Sequence, residues 1–251
     1  MCYSDDARPP LPPTVGGAAS DHGDFHLTAA DGNRFMAYHA RAATPTGSGI
    51  VIMPDVRGLH PFYKELAIRF AEAGVDAVAM DYFGRTAESE DRGGAFDWKA
   101  EIMKLTPEGI AADVRTCVDY LATADGGRPR ATFSVGFCMG GRHSWSQLAE
   151  GHGLAGAIGF YGGRPEQILP LVAQMQGELL FLLAGDDAGT PAEQFETVTR
   201  EVRAGGVPVD SHTYPGAPHS FFDRSFTEHR GACDDAWRRM LEFMRRLTPP
   251  A

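Results

Sequence analysis

Cys138 lies in the hexapeptide Gly136-Phe137-Cys138-Met139-Gly140-Gly141, directly after the apolar, β-favouring run Ala131-Thr132-Phe133-Ser134-Val135. A strand that runs into small-x-nucleophile-x-small and then into a helix is the strained turn that lifts a nucleophile above a sheet. The turn is so tight that side chains two positions either side of the nucleophile would collide, and positive φ is cheap only for glycine. A helix over 139–150 would begin at the thiol. Free N–H groups at its start favour a thiolate and, later, an oxyanion. The hexapeptide alone leaves one plain alternative open, a small cysteine packed beside a glycine-rich turn.

Two further candidates lie just past predicted strands. Asp186 and Asp187 follow the run 179–184, and His219 follows 209–214 in Pro215-Gly216-Ala217-Pro218-His219-Ser220-Phe221. The chain order is nucleophile, acid, histidine, which is the order of α/β-hydrolases. The chemistry requires these types. An imidazole takes the thiol proton and later returns one to the leaving group. A carboxylate holds the imidazole tautomer and stabilises the imidazolium. Taken singly, Asp186-Asp187 reads equally as a turn and helix cap, and His219 as a surface-loop histidine. Their order at three strand ends is what joins them. His22 and His26, beside Asp21 and Asp24, have metal-ligand types but fall at an exposed strand start, so no metal site is expected. His143, one turn past the elbow, is expected on the helix surface or in the core. His39, His60, His152, His212 and His229 carry no motif.

The elements that must position these residues alternate along the chain. Segments 25–28 and 34–40 flank Asp31-Gly32 and predict an opening hairpin. Strands are expected at 49–53, 75–80, 131–135, 154–160, 179–184 and 209–214. Helices are expected at 62–73, closed by Gly74, at 106–122 with Pro107 in its first turn, and at 139–150, 191–204 and 234–247. Repeated strand–helix units predict a mostly parallel sheet with helices on both faces and function at the carboxyl ends of its strands. Residues 1–20, with Pro9-Pro10 and Pro12-Pro13, read as an extended arm laid on the surface or disordered. Residues 21–251 read as one α/β domain. The charged segment 87–104, with Phe96 and Trp98, reads as an excursion that is either a lid or a solvated loop.

Bulk properties exclude several classes. The formal net charge is −10, with no basic block, which argues against a nucleic-acid partner because phosphate binding needs a positive footprint. No apolar run approaches the length of a membrane span, and the amino terminus lacks the basic start and apolar stretch of a signal peptide. Cys2, Cys117, Cys138 and Cys233 are scattered, with no CxxC pair, so neither a disulfide framework nor a structural zinc is expected and a reducing cytoplasm is the expected compartment.

At this point the residues resemble the dienelactone hydrolase family of α/β-hydrolases, over about residues 25–247. The resemblance is carried by Met53-Pro54-Asp55-Val56-Arg57-Gly58, Met80-Asp81-Tyr82-Phe83-Gly84-Arg85, the cysteine elbow, Gly185-Asp186-Asp187 and Pro218-His219-Ser220-Phe221. The cysteine is the specific item, since most α/β-hydrolases carry serine there. The resemblance implies hydrolysis of small esters or lactones, dienelactone-type enol-lactones foremost, without metal or organic cofactor. It implies Cys138 as nucleophile, His219 as base and Asp187, rather than Asp186, as the acid. It implies an oxyanion hole from the backbone N–H groups of Met139 and Val56, donors worth about 3 kcal/mol each at a transition state. It also implies substrate contacts from Asp55, Arg85 and Arg224. Two positions depart from the family pattern. Asp55 stands where the family carries a glutamate that contacts the resting thiol, one methylene longer. Asp223 stands where a second substrate-binding arginine is found, with Arg224 next to it, and Asp223 opposes an anionic substrate unless paired.

Two rivals belong to other classes. One is a catalytically silent small-molecule binding protein on the same scaffold, since fold does not fix function. The other is an amidotransferase-type or thiol-redox enzyme, against which stand the triad order and the absence of CxxC. A monomer and a homodimer are both compatible with the sequence.

Overall fold

The computed structural model describes residues 4–13, 16–94 and 96–251. Eight strands form one sheet: β1 (Ala19–Thr28), β2 (Arg34–Ala42), β3 (Ser48–Met53), β4 (Asp76–Met80), β5 (Ala131–Phe137), β6 (Gly156–Phe160), β7 (Glu178–Asp186) and β8 (Val209–Pro218). Their spatial order is β1-β2-β4-β3-β5-β6-β7-β8. β1 and β2 are antiparallel to their neighbours, and every pairing from β4 onward is parallel. From β3 the chain goes first to β4 on one side and later to β5 on the other. The carboxyl ends of β3 and β5 are therefore the switch point of the sheet, the place where an open α/β sheet typically binds its ligand. Asp55 and Val56 leave β3 there, and Cys138 leaves β5.

The helices are α1 (Pro61–Glu72), α2 (Trp98–Ile102), α3 (Pro107–Leu121), α4 (Met139–Ser146), α5 (Ala192–Ala204) and α6 (Arg230–Leu247). The central strands are buried on both faces, and the period of two sorts their side chains. Ile50 and Ile52 of β3 join Phe62, Leu66 and Phe70 of α1 and Trp237 and Met240 of α6 in one core. Val51 and Met53 face the other core, with Ile110 and Val114 of α3, Trp145 of α4 and Phe195 of α5. Pro107 opens α3, whose Thr106 cap accepts the Gly109 N–H at 3.1 Å. His60 caps α1 by accepting the Phe62 N–H at 3.3 Å. Burial first, then the Arg57 charge, lowers the His60 pKa to about 4, which keeps its Nδ1 an acceptor at neutral pH.

Several boundaries differ from the sequence reading. The hairpin is longer, because β1 already begins at Ala19. β8 runs on to Pro218 and delivers His219 directly from the sheet. α4 stops at Ser146 and is followed by a 3-10 turn, Gln147–Ala149. The 3-10 segment Pro165–Gln174, which carries Pro170 inside it, was not expected. The described part of the arm is anchored. Ala7 is buried, the Trp237 indole N–H donates to the Pro10 carbonyl at 3.1 Å, and the Arg8 N–H donates to Asp223 at 3.2 Å. Met1 and Thr14, like the rest of 1–3 and 14–15, lie outside the described residues. The 87–104 excursion is pinned by Arg92, whose guanidinium pairs with Asp81 at 2.7 Å and lies 4.5 Å from the Phe96 ring centroid.

Candidate active site

The elbow at Cys138 follows from local sterics. Cys138 has φ 55° and ψ −116°, a strained conformation for a side chain with a Cβ. A Cβ on Gly136 would overlap the Gly140 carbonyl, and one on Gly140 would overlap the carbonyl oxygens of Met53 and Pro54. One on Gly141 would lie 2.6 Å from the Phe160 oxygen. Only glycine lets β5, α4 and the end of β3 approach this closely. The turn is closed by the Cys138 N–H donating to Phe160 O at 3.1 Å and the Gly141 N–H donating to Cys138 O at 3.0 Å.

The structure brings the three triad candidates together. His219 Nδ1 lies 2.6 Å from Asp187 Oδ2, and the same imidazole is hydrogen-bonded to the Cys138 thiol. Tyr161, leaving β6, packs its ring 4.7 Å from the His219 ring centroid to centroid. Burial of the imidazole works against its charge. The hydrogen bonds from Asp187 and Cys138 and the negative charges of both outweigh burial, and the His219 pKa is pushed up to about 9. Burial likewise opposes the Asp187 carboxylate, but His219 and the backbone N–H groups of Gly189 and Thr190 hold its pKa below the usual value. Asp186 instead ends β7 opposite Pro218 and is exposed. Cys138, Tyr161 (φ 37°) and Ser220 (φ 67°) are all non-glycine residues at positive φ. Three of the five non-glycine residues at positive φ among those described thus lie at Cys138, at the residue packed against His219 and at the residue after His219; the other two are Arg128 and Arg164.

The two candidate oxyanion donors sit at the ends of neighbouring strands, Met139 directly after Cys138 and Val56 after β3. Met139 is the first residue of α4, where no intrahelical acceptor exists, and Val56 follows β3. Neither N–H donates to an acceptor among the described residues.

The three residues expected to touch substrate are placed differently. Asp55 is fully buried and bound to Arg57. Its Oδ1 accepts the Arg57 backbone N–H at 2.9 Å, both its oxygens lie 3.2 Å from Arg57 Nε, and Arg57 Nη1 also holds the Ser4 carbonyl at 3.1 Å. Its carboxylate is committed to the protein. Arg85 is likewise committed. Its Nε and Nη2 bind Asp113 at 2.8 Å each and its Nη1 binds Asp31 at 2.7 Å, which makes it a clamp between α3 and the hairpin turn. Arg224 is half-exposed and faces Glu65 at 3.5 Å. Asp223 is buried, and its carboxylate is satisfied by the backbone N–H groups of Arg8 and Ser225 rather than by a cation.

Three neighbours of the thiol escaped the sequence reading. Tyr161 had one signal, its place directly after a strand in Phe160-Tyr161-Gly162-Gly163. Arg142 had one as well, helical spacing one turn beyond Cys138. Tyr82 is fully buried with its hydroxyl unpartnered, and the charges that act on it are those of Asp55, Cys138, Asp81 and Arg142; nothing in its sequence context signalled this.

A cysteine on a glycine-flanked elbow at the sheet's switch point and a histidine–aspartate pair from the ends of β8 and β7 define an α/β-hydrolase. Residues 35–248 match the model of the dienelactone hydrolase family, and the chain belongs to that family. A carboxymethylenebutenolidase of Rhodococcus opacus is 27% identical over 263 residues, covering 98% of this chain and 97% of that one. Among solved structures, a dienelactone hydrolase-like promiscuous phosphotriesterase from metagenomic libraries superposes with a TM-score of 0.76 at 21% identity, covering 93% of this chain and 100% of the other. A Pyrococcus furiosus esterase gives 0.70 at 14% identity, covering 97% and 100%. The last two share the fold. No helix among the described residues is long and apolar enough to cross a membrane.

Proposed function

We propose that this protein hydrolyses small esters and lactones, enol-lactones foremost, through a covalent thioester on Cys138. The reading rests above all on one observation: a single imidazole is joined to Asp187 on one side and to the Cys138 thiol on the other. With the His219 pKa raised to about 9, the thiol proton resides on the imidazole and the sulfur is held as thiolate.

The thiolate attacks the substrate carbonyl carbon. The charge that develops on the carbonyl oxygen is met by the Met139 and Val56 N–H groups, which have no other acceptor to give up. As the tetrahedral intermediate collapses, the carbon–oxygen bond to the leaving group breaks, and that oxygen takes the proton from His219. An enol leaving group departs more readily than a simple alkoxide because its charge is delocalised. Water then attacks the thioester while His219 accepts its proton. The carbon–sulfur bond breaks, the acid leaves, and the thiolate–imidazolium pair is restored. Asp187 stays ionised throughout and fixes the ring so that Nε2 faces the sulfur. Cys117, Cys138 and Cys233 are unbonded thiols, which suits a reducing cytoplasm.

Replacement of Cys138 by Ala tests this reading. Turnover of 4-nitrophenyl esters and small lactones should fall to background, and mass spectrometry of the wild type quenched in acid should find an acyl group on the Cys138 peptide. Undiminished turnover by the variant would end the proposal.

A further inference from the structure

Val56 lies in the turn after β3 and His219 in the turn after β8, and the strands β5, β6 and β7 stand between the two. The arm joins these distant turns. At its start the Ser4 carbonyl accepts Arg57 Nη1 at 3.1 Å, and Arg57 is paired with Asp55, so the contact reaches both neighbours of Val56. A tight turn follows, closed by the Ala7 N–H donating to Ser4 O at 3.1 Å. Arg8 then bonds the loop after His219 in both directions. Its N–H donates to Asp223 Oδ1 at 3.2 Å, and its carbonyl accepts the Arg224 N–H at 2.9 Å. The Arg8 and Arg224 side chains face the same carboxylate, Glu65 of α1, at 3.5 Å each. Farther on, the Pro10 carbonyl accepts the Trp237 indole N–H at 3.1 Å.

From Asp223 a run of bonds leads back to the base. Asp223 is buried, its Oδ1 also accepts the Ser225 N–H at 3.0 Å, and its own N–H donates to Phe221 O at 2.7 Å. The Phe221 N–H donates to Pro218 O at 3.1 Å and closes the turn in which His219 sits. Ser220 in that turn is at φ 67°, a conformation that persists only where the surroundings over-determine it. The apolar contacts run the same way. Ala7 is fully buried in the core that holds Phe221, Phe222, Trp237 and Tyr161, and Tyr161 is the residue packed on His219. Pro9 and Pro10 are buried as well. Their rings fix φ in advance, so the arm loses little freedom when it docks.

We propose that residues 4–10 are a positioning element of the active site. By clasping the turn of Val56 and the turn of His219 at once, they set the proposed oxyanion donor and the base relative to each other and to Cys138. Asp223 is the latch. The arm acts through Arg57 and Asp223, not on the reacting atoms. This deepens the hydrolase reading and rests on it.

The test uses the full-length chain. Ala7→Glu places a charge in a fully buried seat, so the arm must leave it. Ala7→Ser is small enough to keep the arm docked, and Asp223→Asn weakens the latch without changing its shape. Val114→Ala, on α3 in the opposite core, lowers stability away from the arm. Two readouts are taken under conditions where urea unfolding shows each variant folded. One is kcat and KM on 4-nitrophenyl acetate. The other is the pH dependence of Cys138 alkylation by iodoacetamide, which needs no turnover. In Ala7→Glu, kcat should fall about tenfold or more while KM stays within about twofold. The midpoint of alkylation should rise by about one pH unit, because a displaced imidazole no longer takes the thiol proton. Ala7→Ser should restore both readouts, Asp223→Asn should move both the same way by less, and Val114→Ala should move neither. An Ala7→Glu variant that loses stability but keeps the wild-type kcat and alkylation profile overturns the proposal, as does a variant faster than the wild type. If Ala7→Glu does not fold, Asp223→Asn decides by the same readouts, and unchanged values overturn the proposal. If the wild type turns over no ester, the hydrolase reading fails while the alkylation profile still decides the role of the arm. If the ester is turned over and neither readout moves in the arm and latch variants, the hydrolase reading stands and this inference falls.

Discussion

His219 Nδ1 and Asp187 Oδ2 lie 2.6 Å apart although the residues are 32 positions apart in the chain. The carboxylate is only 5% exposed and the imidazole 32%, so the acid is shielded from solvent while the imidazole stays partly open. Replacing Asp187 by Asn removes the charge but leaves a side chain of the same shape. The imidazolium loses its closest stabilising charge, and the ring loses the acceptor that fixes its tautomer. The expected outcome is a fall in kcat of roughly 10²- to 10⁴-fold, by analogy with the same change in a serine triad. The acid limb of kcat/KM should move upward in pH, because the His219 pKa falls toward its ordinary value and the thiolate is lost with it. A pH–rate profile of the variant on a neutral ester would check both parts.

The same pair makes stability depend on pH in a definite direction. The folded-state pKa of His219 is about 9, above its ordinary value of 6.5. Taken alone, a raised histidine stabilises the fold fully below about pH 6.5 and ceases to do so as pH rises through 9. In the wild type, however, the proton His219 holds is the one Cys138 gives up, so the folded pair binds no more protons than the unfolded chain between about pH 6.5 and 8.5, and urea unfolding midpoints should stay nearly flat there. Replacing Cys138 by Ala leaves His219 charged against Asp187 with no compensating loss of a thiol proton, so that variant's midpoint should fall as pH rises above 6.5. A wild-type midpoint that falls as steeply as the variant's would contradict the thiolate–imidazolium pair.

The cysteines offer a contrast that needs no substrate. Burial pushes the Cys117 thiol well above its ordinary pKa, and burial likewise pushes Cys233 up to about 12. Both are buried, whereas Cys138 is partly open and shares a proton with His219. A short exposure of the native protein to iodoacetamide at pH 6.5 should therefore label the Cys138 peptide and spare those of Cys117 and Cys233. Equal labelling of the three in peptide mass spectra would remove the activated thiol from the argument.

How much of this was legible in the residues depends on how local each cause is. The elbow was legible because its glycines are demanded by atoms of Gly140, Met53 and Pro54 that the turn itself brings near. The strand ends were legible because continuous apolar runs such as Leu179-Leu180-Phe181-Leu182-Leu183 are buried on both faces of a parallel sheet. The choice between Asp186 and Asp187 was not decided by pattern, since the two differ by one step at the end of β7 and only one of them meets His219. The carboxylate partners of Arg85 were not legible because Asp113 sits on α3, 28 positions away. The arm's attachment through Pro10 and Trp237 spans 227 positions and leaves no local trace.

The elbow glycines carry a prediction about folding as well as catalysis. A methyl group on Gly140 would run into two backbone carbonyls, those of Met53 and Pro54, neither of which can swing aside as a side chain would. Replacing Gly140 by Ala must then displace α4 from the end of β3 or go unfolded. A loss of about 1–3 kcal/mol is expected from overpacking alone, and the Met139 N–H would shift away from the Val56 N–H. Thermal unfolding should show the lower stability, and kcat should fall more than KM rises, because the two donors act on the transition state. Full activity and an unchanged melting temperature would mean that the approach of β3 to α4 is looser than the structure describes.

Asp55 and Arg57 extend that argument to the other side of the proposed oxyanion site. They bracket Val56, and their ion pair is buried, with Asp55 fully enclosed and Arg57 7% exposed. The Asp55 N–H is also bonded to the Tyr63 hydroxyl at 2.9 Å, so the turn carrying Val56 is held from β3, from α1 and, through the Ser4 carbonyl, from the arm. Replacing Arg57 by Met removes one partner and leaves a carboxylate enclosed without its cation. Breaking a buried pair in this way costs roughly 3–5 kcal/mol, whereas removing both charges together is far less costly. The single variant should therefore be much less stable in urea than the double variant Asp55→Asn with Arg57→Met. Activity should follow a different order. Both variants release the turn that aims the Val56 N–H, so kcat should be low in both even where stability is recovered. If the double variant regains activity together with stability, the pair serves the fold alone and the Val56 N–H is aimed by something else.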